Sequence, residues 1–259
     1  MTSEQREAGE TTTLAEAGGK AEIHAAAREL EAATPQEILA WAARRYQPGL
    51  ALACSFGGPS GMVLLDMVMA IDRAVEVFYL DTDFLFPETH KLRDVASARY
   101  RFEPVGYMSL LTPRQQAQRH GDELWARDPD ACCAIRKVEP NQRALAGKQA
   151  WISGIRRDQT KQRAARPVVE WDEKFGLVKV NPLVTWTEAQ VWKYIVENGV
   201  PYNELHDRSY PSIGCTYCTK PVRPGDDPRS GRWQGQDKVE CGLHVPVGAT
   251  GIPQGVAGD

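Results

Sequence analysis

The sequence predicts an α/β fold: a mostly parallel sheet flanked by helices, with an irregular C-terminal segment. Two observations carry this. Short apolar runs that read as buried strands alternate with helical segments, the pattern of parallel strands joined by crossover helices. Each of three such runs also ends in a polar corner, at 55–61, 81–83 and 154–158. In open parallel sheets a ligand sits outside the carboxyl ends of the strands.

The elements follow in order. TPQEILAWAARRY opens with Thr34 as N-cap, Pro35 at the first helical position and Glu37 at the capping-box position. Ile38, Leu39, Trp41 and Ala42 share one face of that helix. LALACSF (50–56) is a short buried strand with Cys54 in its core, broken by GGPSG. MVLLDMVMAI (62–71) is the following helix. AVEVFYLDT (74–82) is a second strand and PETHKLRDVASARY (87–100) a second crossover helix. QAWISGIRRDQ (149–159) is a third strand, ending in Gly-Ile-Arg-Arg. VKVNPLVTWTEAQVWKYIVENG (178–199) holds a strand, a turn and a helix with Thr187 as N-cap. Beyond residue 200 the chain is rich in Pro and Gly and lacks regular periodicity. No internal repeat is visible.

Composition narrows the function. The 259 residues carry a net charge of −3, which argues against a general nucleic-acid binder. No apolar run approaches the roughly 18–20 residues that span a bilayer. The first twenty residues are polar, without a signal-peptide core, so the chain is expected to be cytoplasmic, where thiols stay reduced. The six cysteines then suggest metal binding or catalysis more than a disulfide framework.

Five constellations could carry chemistry. SFGGPSG (55–61) lies between strand and helix; a Gly-rich turn backed by a helix N-terminus suits an anion, although it lacks the Gly-Lys-Ser/Thr of a Walker loop. Thr82 closes a strand at a position able to bond ribose, base or phosphate. SGIRRDQTKQR (153–163) crowds Arg156, Arg157, Lys161 and Arg163 at a strand end, and arginine grips phosphate and sulfate with a rigid fork of donors. Cys132 and Cys133 are adjacent, and Cys215 and Cys218 form a C-x-x-C; two close pairs make a metal site, zinc or iron–sulfur. In KVECGLHV (238–245), Cys241 stands between Lys238 and His244, and nearby cations favour a reactive thiolate. Upstream, Arg229 and Arg232 suit an anionic ligand.

Taken together the chain resembles the sulfonucleotide reductases, specifically the bacterial assimilatory adenylylsulfate (APS) reductases of iron–sulfur type. The matching text is CCAIRKVEP at 132–140, GIRRDQT at 154–160, VNPL at 180–183, SIGCTYCTKPV at 212–222, GRW at 231–233 and ECGLH at 240–244. The resemblance spans residues 50–245 and implies an adenine-nucleotide α-hydrolase-like (PP-loop) domain. It implies a [4Fe–4S] cluster on Cys132, Cys133, Cys215 and Cys218, and Cys241 as nucleophile toward adenosine 5′-phosphosulfate. AMP leaves, an S-sulfocysteine remains, and thioredoxin (or glutaredoxin) frees sulfite, a step of sulfate assimilation and cysteine biosynthesis. Lys137, Arg229 and Arg232 are matched to the phosphosulfate, with His244 in the catalytic group. Ser55, Gly57, Thr82, Gly154 and Arg157 are matched to the nucleotide.

The division this implies is a flexible N-terminal tail (1–33), a nucleotide- and cluster-binding α/β domain (34–222) and a mobile C-terminal segment (223–259) carrying the nucleophile. Without a fused thioredoxin-like domain the reductant is expected to be a separate protein. No nucleic-acid or membrane partner is expected, and a homo-oligomer is allowed. Two departures matter. Pro59-Ser60-Gly61 replaces an acidic pair common in the family, which leaves the 3′-phosphorylated substrate PAPS, or both nucleotides, as the alternative. Asp83 stands where glycine is frequent. A PP-loop ATP pyrophosphatase would want a Ser-Gly-Gly-x-Asp-Ser loop, absent here. A non-enzymatic Cys₄ zinc module would leave Cys241 and the arginines without purpose.

Overall fold

A computed structural model describes residues 19–244. Six strands form one sheet: β1 (Leu50–Ala53), β2 (Glu76–Asp81), β3 (Val105–Met108), β4 (Ala150–Ile152), β5 (Val169–Asp172) and β6 (Leu177–Val180). Their order is β3-β2-β1-β4-β6-β5. All neighbouring pairs are parallel except β5–β6, an antiparallel edge hairpin. The sheet is therefore mostly parallel, as the alternation of strand and helix predicts. The strand expected at the start of 178–199 is β6, whereas β3 and β5 escape the sequence reading; β3 is an edge strand with an exposed, non-alternating pattern.

The helices are α1 (19–29), α2 (Pro35–Tyr46), α3 (Pro59–Ile71), α4 (Pro87–Tyr100), α5 (Pro113–His120), α6 (Leu124–Arg127), α7 (Pro129–Cys133), α8 (Glu139–Leu145) and α9 (Glu188–Asn198). The capping box of α2 forms as expected: the Thr34 hydroxyl accepts from the Glu37 amide and the Glu37 carboxylate accepts from the Thr34 amide. Thr187 caps α9 in the same way. A π-helical turn, Ala134–Val138, joins α7 to α8.

Strand alternation sorts the two faces of the sheet. Leu50, Leu52, Val77, Ile152, Val178 and Val180 point to a large core under α2, α3 and α9. Ala51, Phe78, Trp151 and Leu177 point the other way, toward Ala144 and Leu145 of α8. Strands apolar on both faces read as continuous runs, which is why they were legible.

Residues 19–29 are a correction to the expected tail, which was drawn to residue 33. They are helical, and Ile23 and Leu30 are buried in the main core. The rest of that tail, and residues 245–259 of the C-terminal segment, lie outside the described residues. No helix among the described residues is long and apolar enough to cross a membrane.

Candidate active site

β2 and β3, the next strands in the chain, lie on one side of β1, while β4 pairs on its other side. The chain thus reverses its order of addition between β1 and β4, the point where open α/β sheets bind ligands. A cavity of about 380 Å³ opens there, within the range of small-molecule sites. Its floor is the set of strand-end loops. Ser55, Gly57 and Gly58 follow β1; Thr82 follows β2; Ser153, Gly154 and Arg156 follow β4.

The β1–α3 loop is held from behind. The His206 ring lies 3.1 Å from the Gly57 carbonyl, and Asn203 Nδ2 donates to the Phe56 carbonyl at 3.1 Å. Buried Phe56 takes a left-handed φ of 51°, unusual for a bulky residue and typical of functional turns. Gly154 lets β4 end close to α3. A Cβ there would meet the Gly61 amide nitrogen at 3.3 Å and Ser60 Cβ at 3.4 Å, so the two elements would have to part by a few tenths of an ångström.

The two adjacent arginines after β4 diverge. Arg156 is buried and lines the cavity; it donates to Ser60 Oγ at 2.7 Å and pairs with Asp158 at 3.0 Å. Arg157, the residue expected at the nucleotide, does not line the cavity. It runs outward to Glu31 at 2.5 Å and to the Arg166 carbonyl at 2.8 Å. Past β4 the chain is extended at Arg156, so consecutive side chains take opposite sides, and only the fold says which side faces the ligand.

The C-terminal segment forms the roof. Glu240 accepts from Arg163 Nε at 2.8 Å and Nη2 at 2.6 Å, a buried two-point pair. Arg229 donates to the Val239 carbonyl at 2.6 Å and Lys174 to the Gly242 carbonyl at 2.7 Å. These contacts set Cys241 in the cavity wall with Lys137, Arg229, Arg232 and His244. Arg229 and Arg232 are tied together through Ser212 Oγ, at 3.5 and 3.2 Å. Arg163 and Glu240 carry this arrangement. The crowding of cations in 156–163 is visible in the sequence, but the carboxylate partner of Arg163, 77 residues away, is not.

Electrostatics separate the cysteines. Burial would raise the Cys241 thiol, but Lys137, the Leu243 amide and Arg232 outweigh it, with Glu240 opposing, and its pKa falls below the usual thiol value. Burial pushes Cys132 up to about 11, Cys133 up to about 12 and Cys54 up to about 12. The cations at Cys241 are not the sequence neighbours. Lys238 turns to Asp130 and the Trp233 ring. His244 is held well below the ordinary imidazole value by burial and by the charges of Lys179, Arg163, Arg166 and Arg229, so it is neutral at pH 7.

Cys132, Cys133, Cys215 and Cys218 are buried, unpaired by disulfides, and line one small pocket with Phe84, Trp125, Arg136 and Lys137. Thr82 Oγ1 is 3.3 Å from Cys215 Sγ and Gln116 Nε2 is 3.8 Å from Cys132 Sγ. Among the described residues no three His, Cys, Asp or Glu side chains converge as ligands of one ion. Zinc draws four sulfurs to about 2.3 Å of a single point, whereas a polynuclear cluster takes separated thiolates at its corners. Four buried thiols lining one small pocket, with Arg136 and Lys137 beside them, are a donor set that could hold a cluster of the second kind. Lys137 and Cys215 line this pocket and the large cavity alike.

Residues 49–221 match the phosphoadenosine phosphosulfate reductase domain. The chain belongs to this family. It is 50% identical over 212 residues to an adenosine 5′-phosphosulfate reductase of Shouchella clausii, covering 82% of this chain and 88% of that protein. It is 51% identical over 224 residues to a phosphoadenosine 5′-phosphosulfate reductase of Gloeobacter violaceus, covering 85% and 92%. The crystal structure of phosphoadenylyl-sulfate reductase from Candida auris superposes with a TM-score of 0.68 at 37% identity, over 76% of this chain and 96% of that one. An FMN adenylyltransferase of Candida glabrata, at 17% identity, TM-score 0.52 and coverage of 74% and 62%, shares the fold alone. The family assignment and the α/β architecture agree with the sequence reading.

Proposed function

We propose that this chain reduces adenosine 5′-phosphosulfate to sulfite and AMP. The observation that carries the reading is the meeting, in one cavity, of a thiol with lowered pKa, three cations and Gly-rich strand-end loops. The nucleotide occupies the β1, β2 and β4 loops, with its phosphosulfate toward Lys137, Arg229 and Arg232. Cys241 thiolate attacks the sulfur; the S–O bond to AMP breaks and AMP leaves with the electron pair. Cys241 then carries –S–SO₃⁻. A dithiol reductant such as thioredoxin attacks the Cys241 sulfur, sulfite departs, and the second thiol of the reductant resolves the mixed disulfide. Two anionic partners meet in the first step, so fixed cations at that point lower its barrier.

Cys132, Cys133, Cys215 and Cys218 would hold a [4Fe–4S] cluster. When bound it supplies an electron-rich centre beside the cavity. Lys137 is shared by the two pockets; burial would lower its pKa, but Cys215, Cys133 and Cys241 more than offset that, and it stays an ammonium. It is the residue that links the thiols to the substrate.

The alternative is use of PAPS or of both nucleotides. Pro59-Ser60-Gly61 places no carboxylate at the start of α3, and buried Arg156 stands there instead. Both relatives named above, one of each type, are equally similar to this chain. Intact-mass measurement on anaerobic protein incubated with either nucleotide tests both readings. A gain of one SO₃ on Cys241, removed by reduced thioredoxin, is expected with APS. A larger yield with PAPS would reverse the preference. No adduct with either, on iron-replete protein, would overturn the nucleophile.

A further inference from the structure

The sheet carries one charged row at its far edge. Trp151 of β4, Lys179 of β6 and Glu170 of β5 are register partners, so their side chains stand side by side on the face toward α8. Lys179 is only 2% exposed, deep inside a strand that otherwise reads as core. A buried ammonium is costly unless it is partnered. Its partners are Glu170 Oε1 at 3.4 Å, the Trp151 ring at 5.1 Å from the centroid and His244 Nδ1 at 3.3 Å. His244 lies over this row, its ring parallel to Trp151 within 8°. The same Glu170 takes Arg166 at 2.9 Å, and Arg166 donates to the His244 carbonyl at 2.7 Å. Ring and backbone of His244 are thus gripped by one network built on the β5–β6 hairpin.

We propose that Lys179 is a positioning residue that sets the tautomer of His244. An ammonium has donors and no acceptor, so the Nδ1 it meets must accept, and the ring proton then sits on Nε2. His244 lines the cavity, and it becomes a neutral N–H donor to an anionic oxygen of the bound sulfonucleotide. Four cations (Lys179, Arg163, Arg166 and Arg229) face His244, with Glu170 and Glu240 as the carboxylates of the same cluster. That surplus opposes an imidazolium, which leaves hydrogen-bond donation as the ring's contribution. The substrate end of this inference rests on the proposed function; the tautomer does not.

The experiment is ¹⁵N NMR of the imidazoles of the full chain at neutral pH, with His244 assigned from the His244→Asn variant. The expected result is a protonated Nε2 and a bare Nδ1 in the unsubstituted protein. Lys179→Met should shift that balance toward Nδ1–H and raise KM for the sulfonucleotide on the order of tenfold. Lys179→Arg, which keeps a donor, should recover most of both. In a double-mutant cycle Lys179→Met should add little to His244→Asn. An Nδ1–H ring in the unsubstituted protein, or fully additive effects, would overturn the proposal. If Lys179→Met does not fold, Glu170→Gln loosens the ammonium with little change of shape and is read in the same spectrum. The expected tautomer in a protein that forms no SO₃ adduct would sink the proposed function and leave this inference standing.

Discussion

At the scale of residues, the adjacent arginines give the sharpest contrast. Arg156 fills the cavity side and Arg157 the outer side. Arg156→Ala should raise KM for the nucleotide by about tenfold or more, since it removes a buried donor and strands Ser60 and Asp158. Arg157→Ala should leave KM within about twofold and cost about 1 kcal/mol or less, because its pair with Glu31 is partly exposed. Titration kinetics of the two variants check this, and the reverse order would return Arg157 to the nucleotide. Lys137→Ala should lower kcat/KM on the order of 100-fold with iron content intact, as the loss of a preorganised charge at the reacting group. Full activity with intact iron would remove Lys137 from the mechanism. Asp83 explains itself once the fold is known. It holds a left-handed φ of 58° where glycine would be easier, and its carboxylate pairs at 2.7 Å with buried Arg136. The ion pair offsets the strain that glycine would avoid.

At the scale of elements, the segment that bears Cys241 is fastened by titratable groups. Glu240 is held below the usual carboxylate range; burial alone would raise it, and its hydrogen bonds with Arg163 prevail. That contribution is present above the unfolded carboxylate value and is lost as pH falls through the lower folded one. His244 is neutral when docked, held well below 6.5 by burial first and then by Lys179 and the neighbouring arginines. A histidine that is neutral docked and protonated when released favours docking fully above pH 6.5, and less at each step below it. The slope it adds is at most about 1.4 kcal/mol per pH unit. Calorimetry from pH 7.5 down to 5 should show Tm falling below about 6.5, with a shallower fall in His244→Asn. An identical slope in that variant would show that His244 does not fasten the segment.

At the scale of the whole molecule, the four pocket thiols come from two places far apart in the chain, α7 and the turn at 215–218. A cluster on them would staple the turn at 215–218 to α7, so its binding energy would also be folding energy. Removing iron by chelation should lower Tm by roughly 5 °C or more, by the usual scaling for a chain of this size. An unchanged Tm in iron-free protein would show that the thiols pack without it. The sequence by itself determined the α/β class, because strands buried on both faces print as apolar runs and helices announce themselves by caps such as Thr34 and Thr187. It also marked the cysteines and arginines as candidates, since those side chains keep their character wherever they fall. Tertiary structure alone decided that α1 belongs to the core, that Arg156 rather than Arg157 reaches the cavity, and that Lys137, not Lys238 or His244, leads the cations that lower Cys241. The physical reason is that burial and Coulomb attraction depend on distance in space. The crossover between β1 and β4 brings residues 55, 137, 156 and 241 to one cavity, which no spacing along the chain records.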